Sequence, residues 1–189
     1  MRSQENISFY WHWLEIPAVQ EQALLEHAEL FEKHVQELMP NRSIAFKPLD
    51  DKQTEILRIS INNGGIPVPS DLGIDSDSFL VLVTNSQHRV AQLCQSLKPE
   101  AKYGISFPNE RVCCIYEPED KYTFWHEIYH LLGADDCYIE ENDIIIDRGP
   151  TCEDADCIMQ YGITKQSINI GPWVCTYNIE KIINRLNDF

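Results

Sequence analysis

Residues 119–137 read EDKYTFWHEIYHLLGADDC. Phe124, Ile128 and Leu131 recur at helical spacing, so a helix is expected from about Glu119 to Leu132, with Gly133 in the C′ position that ends it. His126 and His130 stand four residues apart, one turn along the same face, where their nitrogens can share a metal. Glu127, beside the first histidine, can receive a proton from water held there. The apolar stripe and the histidine face do not overlap, so the helix can pack and bind at once.

The continuation is informative. Gly133 allows the chain to turn sharply and bring a third ligand back. Asp136, six residues after His130, has the spacing for that ligand. Asp135 is its rival, and is otherwise a solvated loop carboxylate. Two imidazoles and a carboxylate would leave a fourth position for water, as catalytic zinc requires.

Further along, Asp156-Cys157-Ile158-Met159-Gln160-Tyr161-Gly162 places a tyrosine two residues after a methionine. The HExxHxxGxxD pattern with this downstream methionine resembles the metzincin clan of zinc peptidases. Within the clan the chain is most similar to the archaemetzincins. Cys137 directly follows the third ligand, Cys157-Ile158-Met159 is a Cys-x-Met, and Cys175 introduces the last helix. FLVLVT, GISF and RVCCIY ahead of the motif also look like that family's strand order. The resemblance covers about Phe79 to Phe189.

The resemblance implies an α+β, metzincin-like zincin domain. In it, a twisted mixed sheet packs on an amphipathic helix and the HExxH helix, and a C-terminal helix follows the methionine turn. It implies zinc-dependent peptide-bond hydrolysis with His126, His130 and Asp136 as ligands, Glu127 as general base and Met159 as an apolar floor. Tyr161 would stabilise the oxyanion, the bland alternative being an ordinary packed tyrosine. A peptide or protein substrate would bind as an extended strand along Gly104–Phe107. The chain departs from the archaemetzincin pattern in three ways. Asp136 replaces a histidine, a longer stretch separates Cys137 from the methionine turn, and Asn178 stands where the final cysteine would be. Cys152 could replace it, so that Cys137, Cys152, Cys157 and Cys175 would hold a second, structural zinc. Otherwise these are small buried hydrophobes.

The rest of the chain supports a single domain, expected as a sheet-and-helix part (1–133) and a C-terminal part (134–189). Ile7–Ile16 reads as a strand. Leu24, Ala28, Phe31, Val35 and Leu38 mark an amphipathic helix that Pro40 stops. Ser43–Lys47 and Glu55–Asn62 both look β-like. Phe79–Thr84 is apolar throughout, as an inner strand covered on both faces should be. Gln87–Leu97 is expected as a short helix. Gly104–Phe107 and Arg111–Tyr116 form a strand pair, and Tyr177–Leu186 a last helix. The stretch 134–171 is expected to be irregular and acidic. Its Glu140, Glu141, Asp143, Asp147, Glu153, Asp154 and Asp156 form either a solvated loop, a rim for basic peptides or a calcium site.

Composition narrows the function further. Of 189 residues, 30 are acidic and 15 basic, a net charge of −15, which repels polyanions and argues against nucleic-acid or anionic-membrane partners. No apolar run approaches the roughly 18 residues of a membrane span. The first sixteen residues lack the layout of a secretory signal, making the cytoplasm the expected compartment. Seven cysteines, an odd number with Cys113 and Cys114 adjacent, favour thiols or metal ligands over a disulfide framework. Two other functions compete with hydrolysis: a catalytically silent binding module of the same fold, and a cysteine-based metal- or redox-responsive protein. The intact Glu127 argues against the first, and the absence of Cys-x-x-Cys spacing against the second.

Overall fold

The computed structural model describes residues 5–99, 103–116, 121–141, 144–148, 157–159 and 174–187. Strand β1 (Glu5–Leu14) leads into helix α1 (Ala18–Leu38), then strand β2 (Arg42–Pro48) and helix α2 (Asp51–Asn62). Strand β3 (Phe79–Thr84) and helix α3 (Arg89–Leu97) precede the hairpin of β4 (Gly104–Phe107) and β5 (Val112–Ile115). Helix α4 (Lys121–Leu131), a second hairpin of β6 (Tyr138–Glu141) and β7 (Ile144–Arg148), and helix α5 (Thr176–Asn187) complete the order. The main sheet runs β2-β1-β3-β5-β4. Its first four strands are parallel, and β4 is antiparallel at the edge. This is a mixed α+β fold, as expected.

The sheet separates two apolar layers. Phe79, Val81 and Val83 of β3 face α1, α4 and α5, while Leu80 and Leu82 face α2 and α3. All six residues of β3 are buried, which is why its sequence is apolar without alternation. Helix α1 contributes Leu24, Ala28, Phe31 and Val35, the expected face, and all four are buried. The Phe31 ring meets Tyr129 of α4 edge-on at 5.0 Å, and Trp125 of α4 donates its indole N–H to the carbonyl of His27 at 3.0 Å. Phe124, Ile128 and Leu131 are fully buried, each such side chain stabilising the fold by about 1.5–3 kcal/mol. Helix α4 is thus pinned against the sheet, with its histidine face turned elsewhere.

Two expectations need correction. Glu55–Asn62 is helix, not strand. Its alternation of Leu57, Ile59 and Ile61 imitates a strand, but Asp50 and Gln53 form a reciprocal capping box that starts a helix. Leu57 and Ile61, one turn apart, are buried while Ile59 is 49% exposed. The stretch after α4 is also more regular than expected, since β6 and β7 pair antiparallel with a bulge at Ile139/Glu140.

Candidate metal centre

Helix α4 ends in a glycine turn. Gly133 adopts φ +97°, and the Ala134 N–H reaches back to the carbonyl of Tyr129 at 2.9 Å, closing a Schellman-type cap. A side chain at Gly133 would meet two obstacles, the left-handed backbone and Arg185 Cδ at 2.6 Å from its Cβ. The turn carries Asp136 back over the histidine face.

There three donor atoms converge. His126 Nε2 and His130 Nε2 are 3.1 Å apart, and Asp136 Oδ1 lies 3.3 Å from each. His126 Nδ1 faces the carbonyl of Ile158 at 3.1 Å, and His130 Nδ1 that of Ala134 at 2.9 Å. A carbonyl only accepts, so each Nδ1 carries the proton and each Nε2 presents a lone pair. Asp136 Oδ1 is buried, and among the described residues the two imidazole nitrogens are the groups that face it. Three lone-pair atoms therefore face one another, an arrangement that calls for a cation. Donors 2.0–2.1 Å from a tetrahedral zinc are separated by about 3.3–3.4 Å, so the observed separations fit that ion.

The electrostatics of the site point the same way without a metal. Burial opposes charging of His126, but the Asp136 and Glu127 carboxylates outweigh it and lift the imidazole to about 9. Burial would raise Asp136, yet the two imidazoles hold it well below the usual carboxylate range. In the metal-free chain a proton takes the cation's place.

Asp135, the rival ligand, points away: its carboxylate pairs with Lys181 and takes a 3.5 Å contact from the Tyr177 hydroxyl, both on α5. Glu127 is 7% exposed and lies under the sheet edge. Ser106 Oγ of β4 approaches its Oε2 at 2.6 Å. The Cys113 thiol, opposite Ser106 on β5, is pushed well up by burial and by the Glu127 charge.

No protein-family model, curated protein or solved structure matches the chain. What the site can do therefore has to be read from its own atoms.

A second cluster adjoins the first. Cys137 Sγ lies 3.8 Å from Cys157 Sγ and 3.7 Å from Cys175 Sγ, and all three residues are buried. Both groups, three thiols and His-His-Asp, could hold a metal ion. The six described cysteines, which include these three, Cys94, Cys113 and Cys114, are not in disulfides. Hydrogen bonds from Cys137 and from the Cys175 N–H push the Cys157 thiol down to about 5 against the opposing effect of burial. Met159 is fully buried, and its carbonyl accepts from the Cys137 N–H at 2.8 Å.

Tyr161 and Cys152 lie outside the described residues, as do Asp143, Glu153, Asp154 and Asp156 of the acidic stretch. Three contributors were missed in the sequence: Ser106, Gly104 and the clasping role of Asn178. For the first two a signal existed, because strand alternation puts both on one face of β4. Asn178 stands out in the sequence only as the residue at the final cysteine's position, with no signal for a clasp, yet it is fully buried. Its side-chain amide accepts from the Asp135 N–H and donates to the Asp135 carbonyl, each at 2.9 Å, and donates to Cys137 Sγ at 3.3 Å.

Proposed function

We propose that the chain is a zinc-dependent peptidase of metzincin type. The observation that carries this reading is the convergence of His126 Nε2, His130 Nε2 and Asp136 Oδ1 at tetrahedral spacing with a buried glutamate adjacent. Bound there, zinc supplies a Lewis acid that acidifies water and polarises a carbonyl. Glu127 takes the proton of the attacking water and later returns it to the leaving amine. Tyr161, the tyrosine two residues after Met159, would be the donor to the developing oxyanion, a role worth a few kcal/mol when preorganised. The edge strand β4 receives an extended peptide, whose main-chain hydrogen bonds give register.

The proposal includes a second, structural zinc held by Cys137, Cys157 and Cys175, with Cys152 as fourth thiolate. Thiolates 2.3 Å from a tetrahedral zinc are separated by about 3.8 Å, which the two measured sulfur separations match. Asn178 is not a ligand in this arrangement, since its amide N–H points at the Cys137 sulfur. No helix among the described residues is long and apolar enough to cross a membrane.

Metal analysis of the purified protein, paired with digestion of a peptide library, tests the reading. Glu127→Ala should keep its zinc and lose hydrolysis by several orders of magnitude, because it removes the proton carrier and no ligand. Tyr161→Phe should lose about 10²-fold or less. Wild-type turnover by Glu127→Ala refutes the mechanism.

A further inference from the structure

This inference rests on the hydrolase reading and concerns what holds its general base. Strand β4 alternates its faces: Ile105 and Phe107 pack into the layer of α2 and α3, leaving Gly104 and Ser106 over helix α4. A Cβ at Gly104 would lie 2.8 Å from Glu127 Cγ and 3.0 Å from its Oε1. Only a hydrogen there leaves room for the carboxylate. Ser106 Oγ lies 2.6 Å from Glu127 Oε2 and 2.8 Å from the Glu127 main-chain carbonyl. A hydroxyl has one proton to give. The shorter contact, to a charged acceptor, is the stronger one, so the proton points at Oε2. The carboxylate is thus held on one side by a hydrogen bond and fitted on the other against a missing side chain.

We propose that Ser106 is the positioning residue for Glu127: its hydroxyl pins Oε2 and so fixes the carboxylate that carries the proton. In the forward step a water O–H bond breaks, its proton passes to the Glu127 carboxylate, and its oxygen bonds the scissile carbon. In the second step the C–N bond breaks, the Glu127 proton passes to the departing nitrogen, and Glu127 is again a carboxylate. The Ser106 proton stays on Ser106 throughout. One water is consumed per bond cleaved. A glutamate has three rotatable bonds, and a proton carrier misplaced by about 1 Å can cost 10²-fold in rate, so a fixed Oε2 is a direct contribution to turnover.

The test uses the zinc-loaded full chain and the best-cut peptide of a quenched-fluorescence library as probe. Ser106→Ala should lower kcat ten- to a hundredfold with KM and zinc content unchanged, and Ser106→Thr, which keeps the hydroxyl, should recover most of that loss. In the Glu127→Ala background, Ser106→Ala should change the residual rate no further. Independently of any substrate, unfolding of the four EDTA-treated proteins (wild type, two single variants, double variant) should show the two positions coupled by about tenfold in the equilibrium. A wild-type kcat for Ser106→Ala beside an inactive Glu127→Ala overturns the role of Ser106 alone. So does an equal loss from Ser106→Ala in both backgrounds, or no coupling in unfolding. Full activity in Glu127→Ala, or no library peptide cut by the wild type, overturns the hydrolase reading and this inference with it.

Discussion

At the scale of single residues, the centre is decided by where protons cannot be. Two main-chain carbonyls claim the Nδ1 protons of His126 and His130, so the Nε2 atoms are the ones left to face Asp136 and a metal. We predict that Asp136→Ala lowers zinc content far more than Asp135→Ala, because Asp135 spends its carboxylate on α5. Equal losses in metal analysis would reject Asp136 as the third ligand. The same geometry sets a pH dependence in the metal-free protein. His126 rises from an ordinary 6.5 to about 9, so its stabilisation is full below pH 6.5 and is lost as pH rises to about 9. Asp136 is depressed from 3.8, so its stabilisation is full above that value and is lost on further acidification. In EDTA, wild type should therefore exceed Asp136→Ala in stability most between about pH 4 and 6.5, and the gap should close toward pH 9. Denaturation midpoints across pH measure this. A gap that widens toward pH 9 would contradict it.

Among elements, the grip of α5 on the loop after α4 matters most. Asn178 satisfies both main-chain groups of Asp135 from a fully buried position. It thereby fixes the residue before Asp136, the proposed third ligand. Asn178→Ala should cost about 2 kcal/mol or more in stability by leaving buried groups unpaired. It should also weaken zinc binding by roughly 10–100-fold, the usual cost of losing an outer support. Lys181→Ala removes a solvent-facing pair to the same residue and should cost under about 1 kcal/mol. Chemical denaturation and competitive chelator titration separate the two. If Lys181→Ala proves the more damaging, the clasp is wrongly assigned.

Across the whole molecule, the thiol cluster and the His-His-Asp centre share their scaffolding. Cys137 follows Asp136, and Cys157 precedes Ile158, whose carbonyl orients His126. The Cys137 N–H also binds the Met159 carbonyl, joining the two chain segments behind both sites. Under reducing conditions we expect close to two zinc per chain, falling to one in Cys157→Ser. A ratio of one that this substitution leaves unchanged would make these cysteines packing residues.

How much of this was legible beforehand follows from the range of each interaction. Residues 18–38, 121–131 and 176–187 are legible from their helical period, and 79–84 from an unbroken apolar run of strand length. HExxH was legible for the same reason, since one helical turn alone brings His126 and His130 together. Glu55–Asn62 misled because Leu57, Ile59 and Ile61 fit a period of two, while the capping box of Asp50 and Gln53 and the burial of Leu57 and Ile61 select the helix. The hairpin of β6 and β7 was hidden by its charges. Between Asp135 and Asp136 the sequence offers only spacing, whereas packing against α5 turns Asp135 away and leaves Asp136 beside the two imidazoles. Ser106 meets Glu127 across 21 residues, and Asn178 meets Asp135 across 43. Contacts at that separation leave no period in the chain. They exist only once the sheet edge and the last helix have docked on α4, so the sequence alone determined the helix that bears the site, and the tertiary structure decided what holds it in place.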